Sequence, residues 1–169
     1  MIGTGGKDAN GNPITDKEGG CTVQPEPGYV VKTWAKSVGK IFINMCKHEF
    51  VEGFEERPIP KEDQDKFNTG EVGYRFPLSA GERREEHDKK GEPCMVIDFI
   101  WAPVTIEKSL TDPNFRQALI ELALNYVNQK YNIECDQRWS MPKLKYKGAS
   151  IQYQRIKIKK NAKIQDVTP

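Results

Sequence analysis

Long apolar runs are missing from this chain of 169 residues. No stretch approaches the ~18 consecutive apolar residues of a membrane-spanning helix. The opening "MIGTGGKDANGNP" also lacks the apolar stretch of a secretory signal. Both absences predict a soluble cytoplasmic chain with no membrane partner. Cysteine is sparse and scattered. Cys21, Cys46, Cys94 and Cys135 form no Cys-x-x-Cys pair, and histidine is limited to His48 and His87 in charged, loop-like surroundings. Zinc sites need paired ligands at short spacing, so the thiols are expected to be reduced and three of them semi-buried. No glycine-rich phosphate loop and no strand-turn-helix nucleophile elbow occurs. The acidic "EDQD", Glu62 to Asp65, lacks the glycine and distal glutamate of a calcium loop. Asp98, alone in an apolar run, fits a hydrogen-bonded structural carboxylate better than a general base. The expectation is a chain that is not an enzyme and carries no metal and no cofactor.

Strong net charge is absent too. The formal balance is +2, too little for a protein that coats nucleic acid. The distribution is uneven, with 13 acidic against 8 basic residues between Glu49 and Glu92, and 8 basic with no acidic ones between Ser140 and Gln165. A basic end beside an acidic middle can hold a local anion without being globally cationic.

What is present has the size of one domain with tails. Residues 1–22, rich in Gly, Asn and Asp, predict a flexible lead. "GYVVKTWAKSVGKIFINMC", Gly28 to Cys46, predicts two strands and a tight turn. A three-residue turn at Ala35, Lys36 and Ser37 would pair Trp34 with Val38 and Lys32 with Lys40. Alternation puts Tyr29, Val31, Ile41, Ile43 and Met45 on a core face, and Val30, Lys32, Lys40, Phe42 and Asn44 on the other. Residues 47–72 form a charged excursion with a short helix expected near Lys61 to Phe67. "CMVIDFIWA", Cys94 to Ala102, has the length and continuity of a central strand. A short helix is expected at Val104 to Leu110. A longer one follows, capped by Thr111 or Asp112, opened by Pro113, and striped by Phe115, Leu119, Leu122, Ala123, Tyr126 and Val127. Ile151, Tyr153, Ile156 and Ile158 alternate as a last strand with a shift of phase near Arg155, and residues 156–169 end the chain as a basic tail.

Lysines recur wherever loops adjoin these core strands. Lys32 and Lys40 come from the hairpin, Lys89 and Lys90 from the "HDKKGEPC" turn, and Lys143, Lys145 and Lys147 from "PKLKYKG". Like charges side by side on a sheet repel unless an anion lies between them. Several converging ammonium groups suit a phosphate flanked by carboxylates. Reading the basic end as an RNA-binding stripe is weaker, because only Tyr146 and Tyr153 supply aromatic rings there.

Taken in order, "PEPGYVVKT", "GKIFINMC", "YRFPLSAGE", "DKKGEPCMVIDFIW", "DPNFRQALIELALNYVNQKYNI" and "WSMPKLKYKG" resemble the PIH domain, the domain of proteins interacting with the ninety-kilodalton heat-shock protein. The resemblance spans residues 23–155. It implies an α/β fold: a single domain whose small mixed β-sheet carries an amino-terminal hairpin and is flanked by helices. It implies a cochaperone adaptor that joins the heat-shock chaperone and its RuvB-like ATPase adaptor complex to client proteins. One branch of the family binds acidic peptides of the form Asp-phosphoserine-Asp-Asp/Glu. Another, the Kintoun branch, serves the cytoplasmic preassembly of axonemal dyneins, which makes the cilium a second expected location. Carried over by position, the phosphopeptide site falls on Lys32, Lys40, Lys90, Lys143 and Lys145. Ser140 stands where the phosphopeptide-binding branch has a basic residue after the tryptophan, and Lys145 where it has arginine, so the bidentate fork is lost. The alternative expectation is a fixed structural component of a large assembly such as the ciliary axoneme.

Overall fold

The computed structural model describes residues 7–58 and 72–158. Its elements in chain order are β1 (Gly20–Val23), β2 (Glu26–Ala35), β3 (Gly39–Lys47), β4 (Glu55–Pro58), β5 (Val72–Arg75), β6 (Ser79–Ala80), β7 (Arg84–His87), β8 (Pro93–Trp101), α1 (Pro103–Thr111), α2 (Pro113–Tyr131) and β9 (Gln154–Lys157). The main sheet runs β2-β3-β8, with β6 and β7 sharing the far side of β8. All pairs are antiparallel except β3–β8. A parallel neighbour requires a crossover, and residues 48–92 supply it. The helix expected near Lys61 to Phe67 lies outside the described residues.

The expected hairpin forms, in a different register. Lys32 pairs with Phe42 and Trp34 with Lys40, so the two lysines are diagonal rather than opposite. The turn sits one residue later than expected. Val38 N–H closes it onto Ala35 O at 3.2 Å, and Gly39 follows at φ +84°, a conformation glycine adopts without penalty. The cross-strand partner of each residue moves by two positions, which preserves the side-chain period, so the predicted faces survive. At the other end of the hairpin a bulge between Pro27 and Tyr29 brings Gly28 so close to Met45 O that a Cβ would lie 2.5 Å from it.

β8 is central and buried from Cys94 to Trp101, because it has neighbours on both edges and cover on both faces. One face of the sheet carries Tyr29, Val31, Ile41, Ile43, Met45, Ile97, Phe99 and Trp101 against the two helices. Asp112 ends α1 and opens α2. Its carboxylate accepts from Phe115 N at 3.1 Å, and Pro113 fills the first turn. The buried stripe of α2 is Phe115, Leu119, Ile120, Ala123, Leu124 and Val127. Leu122, expected in that stripe, is exposed.

The other face is not left to water. Val30, Phe42, Cys94 and Val96 pack there under Leu144. Beyond them Ile100 meets Cys21, Val23 and Ile156 of the β1–β9 ribbon. That ribbon revises two boundaries. Gly20–Val23 is a paired strand where a flexible lead was expected, and Ile156 is a buried strand residue where the tail was to begin. Both short strands gain order by burying alternate apolar residues against the main sheet. All four cysteines are buried. Among the described residues no helix is long and apolar enough to cross a membrane.

Candidate functional site

The covered face also carries the lysines. Phe42 lies on it with its ring under two cations, Lys32 Nζ at 5.9 Å and Lys147 Nζ at 5.2 Å from the centroid. Each contact of this kind contributes on the order of 0.5–2 kcal/mol and fixes where the charge stands. Lys147 Nζ is fixed further by donating to His87 O at 2.7 Å. On the opposite side of Lys32, residues 135–140 cover the edge of β2. Lys32 and Ser140 exchange both backbone hydrogen bonds, at 2.8 and 3.0 Å, and Asp136 N–H reaches Trp34 O at 2.7 Å.

Lys40 has a local partner. The turn after β7 wraps around the Asp88 side chain, whose Oδ1 accepts from Lys90 N at 2.8 Å and Glu92 N at 2.9 Å. Asp88 Oδ2 then takes the Lys40 ammonium at 2.7 Å. That bond, with the two backbone donors, holds the Asp88 carboxyl down at about 2 and raises Lys40 above its ordinary value. Lys40, on the non-core face as expected, therefore has a resident anionic partner. Its side chain is 34 % exposed against a carboxylate that is 6 % exposed.

A buried polar network holds the 146–152 segment over the sheet. Asn44, fully buried, exchanges hydrogen bonds with the backbone of Lys147, accepting from N at 2.8 Å and donating to O at 3.1 Å. Its amide also donates to Asp98 Oδ1 at 2.8 Å, its neighbour in the β3–β8 register. Asp98 is 3 % exposed. It receives Arg84 Nη1 at 3.0 Å on Oδ1 and the Tyr146 hydroxyl at 2.5 Å on Oδ2. Arg84 closes the ring onto Tyr146 Oη at 3.0 Å and Lys147 O at 3.1 Å. Burial first, and then the bond to Asp98, push the Tyr146 phenol well above its ordinary value. Asp98 is thus the structural carboxylate expected, and Tyr146 is committed to it rather than offered to a stacked base.

Of the five predicted residues, Lys32 and Lys40 lie on the covered face and Lys90 lies on the Asp88 turn that docks against Lys40. Lys143 and Lys145 are exposed on either side of Leu144, whose side chain packs on Val30, Phe42, Cys94 and Val96. The segment is brought to the same face, while no contact joins these two ammonium groups to Lys32 or Lys40. Among the described residues only Lys40 of the five is in an ion pair, the one with Asp88. Lys147 is the cation that position-by-position reading left out. The signal for it was its place in the same "PKLKYKG" lysine set, whose last member lies where Asn44 grips the backbone.

The PIH1 N-terminal domain family model matches residues 12–164. The chain belongs to that family. It is 31 % identical to PIH1 domain-containing protein 1 of Xenopus laevis over 151 residues, covering 86 % of this chain and 49 % of that protein. It is 32 % identical to protein kintoun of Drosophila grimshawi over 160 residues, covering 91 % of this chain and 17 % of that protein. The chain therefore spans about half the length of one relative and under a fifth of the other. The N-terminal domain of yeast PIH1p superposes with a TM-score of 0.66 at 24 % identity, over 81 % of this chain and 92 % of that one, and so shares the fold.

Proposed function

We propose that this PIH domain is a non-enzymatic cochaperone adaptor. It captures an acidic, phosphoserine-centred segment of a client or chaperone-complex subunit on the lysine-bearing face of its sheet. The reading places it in the cytoplasm, between the ninety-kilodalton heat-shock chaperone with its RuvB-like ATPases and a client, with axonemal dynein preassembly as the setting. The single observation that carries it is the shared Phe42 ring, with Lys32 and Lys147 ammonium groups both within 6 Å of its centroid and neither matched by a carboxylate among the described residues. Lys40, Lys90, Lys143 and Lys145 surround that pair from the hairpin, the Asp88 turn and the Leu144 segment. A doubly charged phosphate between the Phe42 cations would gain about 1.5–3 kcal/mol per charge-assisted contact. Ordering the peptide offsets much of that, which leaves affinity near the micromolar range.

Titration of labelled Asp-Ser-Asp-Asp peptides, with and without phosphate on the serine, tests the reading at ~0.1 M salt, where exposed charges are already partly screened. Micromolar binding that favours the phosphorylated form is the expected result. Equal and negligible binding of both overturns it.

A further inference from the structure

Trp34 stands on the cationic face with its large ring exposed. The side chain is 50 % exposed. It points to the same side of the hairpin as Lys32, two residues before it, and as Lys40, directly across from it. It belongs to none of the apolar clusters, and among the described residues its ring and its Nε1–H have no partner. Its backbone, by contrast, is held on both sides. β3 pairs with it on one edge, and Asp136 N–H bonds Trp34 O at 2.7 Å on the other. Thr33 adds a hydroxyl bond to Asp136 O at 2.7 Å. An indole on a fixed strand loses little entropy when it is covered, and tryptophan offers a large apolar area with a donor at its rim.

We infer that Trp34 sets the sequence preference of the site, making this face fit an acidic peptide with a bulky apolar side chain two positions from its anionic centre. This rests on the reading above that the lysines receive an acidic segment. Residues two apart on a strand are about 6.6–6.8 Å apart on one face, and an extended peptide repeats at the same distance. An anion held beside Lys32 by the two Phe42 cations lies level with the Lys32–Phe42 pair, so the side chain two residues along an extended peptide falls over the indole of the next pair on that face, Trp34–Lys40. Charge decides the class of partner. Asp88 beside Lys40 and a net charge of only +2 disfavour a nucleic-acid strand, with its continuous phosphates, whereas a short acidic segment needs only a local patch.

The test uses two phosphoserine peptides that differ only two residues from the phosphoserine, leucine in one and glycine in the other. They are titrated by fluorescence anisotropy against the wild type, Trp34→Ala and Lys40→Gln, with an oligouridylate as a third probe and a thermal melt to show that each variant is folded. The wild type should bind the leucine peptide about tenfold more tightly, the size of one well-placed apolar contact. Trp34→Ala should bind both peptides equally, at the glycine peptide's affinity, and Lys40→Gln should weaken both while keeping the preference. A wild type that binds both peptides equally, or a Trp34→Ala variant that keeps the preference, overturns the role of Trp34 and leaves the anion site standing. A wild type that binds neither peptide overturns both. Tighter binding of the oligouridylate, lost in Trp34→Ala, overturns the peptide as the partner and makes the indole a platform for bases.

Discussion

Changing Tyr146 to Phe removes one oxygen from the centre of the network that ties the lysine segment to the sheet. That oxygen donates to Asp98 Oδ2 at 2.5 Å and accepts from Arg84 Nη2 at 3.0 Å and Gln152 N at 3.1 Å. A hydrogen bond to an ionised acceptor contributes about 1.5–3 kcal/mol to stability. The two donors left behind lie where water can serve them, because Tyr146 and Arg84 are only half-buried. The expected loss is about 2 kcal/mol, which in a chain of this length lowers Tm by roughly 4–8 °C. Asp98→Asn reaches the same contact from the other side. It also removes the buried one of Arg84's two carboxylate partners, leaving Glu86 at 3.1 Å, and should cost about 2–3 kcal/mol. The two changes meet on one hydrogen bond, so the double variant should lose less than the two single losses combined, by about 0.5–2 kcal/mol. Urea unfolding followed by circular dichroism on all four proteins measures this directly. A Tyr146→Phe variant within 0.5 kcal/mol of the wild type, or strict additivity in the cycle, would refute the claim that this bond clamps the segment.

Three further outcomes are expected. Lys147→Met should weaken phosphopeptide binding by roughly tenfold, one charge-assisted contact, and, since it removes the cation over Phe42 and the bond to His87 O, lower stability by about 0.5–2 kcal/mol while Asn44 still holds the backbone of residue 147; isothermal titration and a urea curve report the two effects separately. Burial pushes the thiols of Cys46 up to about 12 and Cys135 up to about 11, while in the unfolded chain each ionises near 9. Above pH 9 the unfolded chain has released protons that the folded chain still holds. Stability is therefore complete below pH 9 and falls as pH rises towards 12, and urea midpoints that stay level from pH 8 to pH 10.5 would contradict this. Leu124→Ala, at a fully buried position of α2, should cost about 2–5 kcal/mol, whereas Leu122→Ala, at an exposed one, should cost under about 1 kcal/mol; equal losses would mean that the packing face of α2 is misassigned.

The parts of the fold that could be read from sequence are those whose cause is local. The cap at Asp112, Pro113 and the three- and four-residue apolar spacing determine α2 without reference to the rest of the molecule. The continuous apolar run of β8 announces a strand covered on both faces. In the hairpin the period of two survives any error in register, so its faces were legible while the pairs were not. The pairs depended on Gly39 taking a left-handed φ, and the valine-glycine dipeptide was the available hint. Other elements depended on distant partners. Gly20–Val23 becomes a strand because Gln154–Lys157 lies beside it, and nothing in a glycine-rich lead signals that. β7, Arg-Glu-Glu-His, hides its alternation because both of its faces are charged. Arg84 and Glu86 serve the network, while Glu85 and His87 face water.

The site divides along the same line, with a consequence for reading sites by resemblance. Ammonium groups attract an anion through a potential that depends on distance, not on which segment supplies each charge. A cationic face can therefore lose a charge at one position and regain it from another, which an active site with fixed atomic roles cannot do. Ser140, which stands where the resemblance implies a basic residue, here exchanges two of the backbone bonds that seal the edge of β2. Lys147, seven residues on, brings a cation to the Phe42 ring that Lys32 also occupies. Matching positions one at a time records the first change as a loss and overlooks the second. Asp88 shows the opposite error. Its carboxylate is 48 residues from Lys40 in sequence and 2.7 Å away in space, so the proposed ligand would have to share Lys40 with a resident anion. On the proposed reading, binding at this face would be a competition for Lys40 and an uncontested capture by Lys32 and Lys147. Substitutions at the Phe42 pair should accordingly weaken affinity more than the same substitution at Lys40.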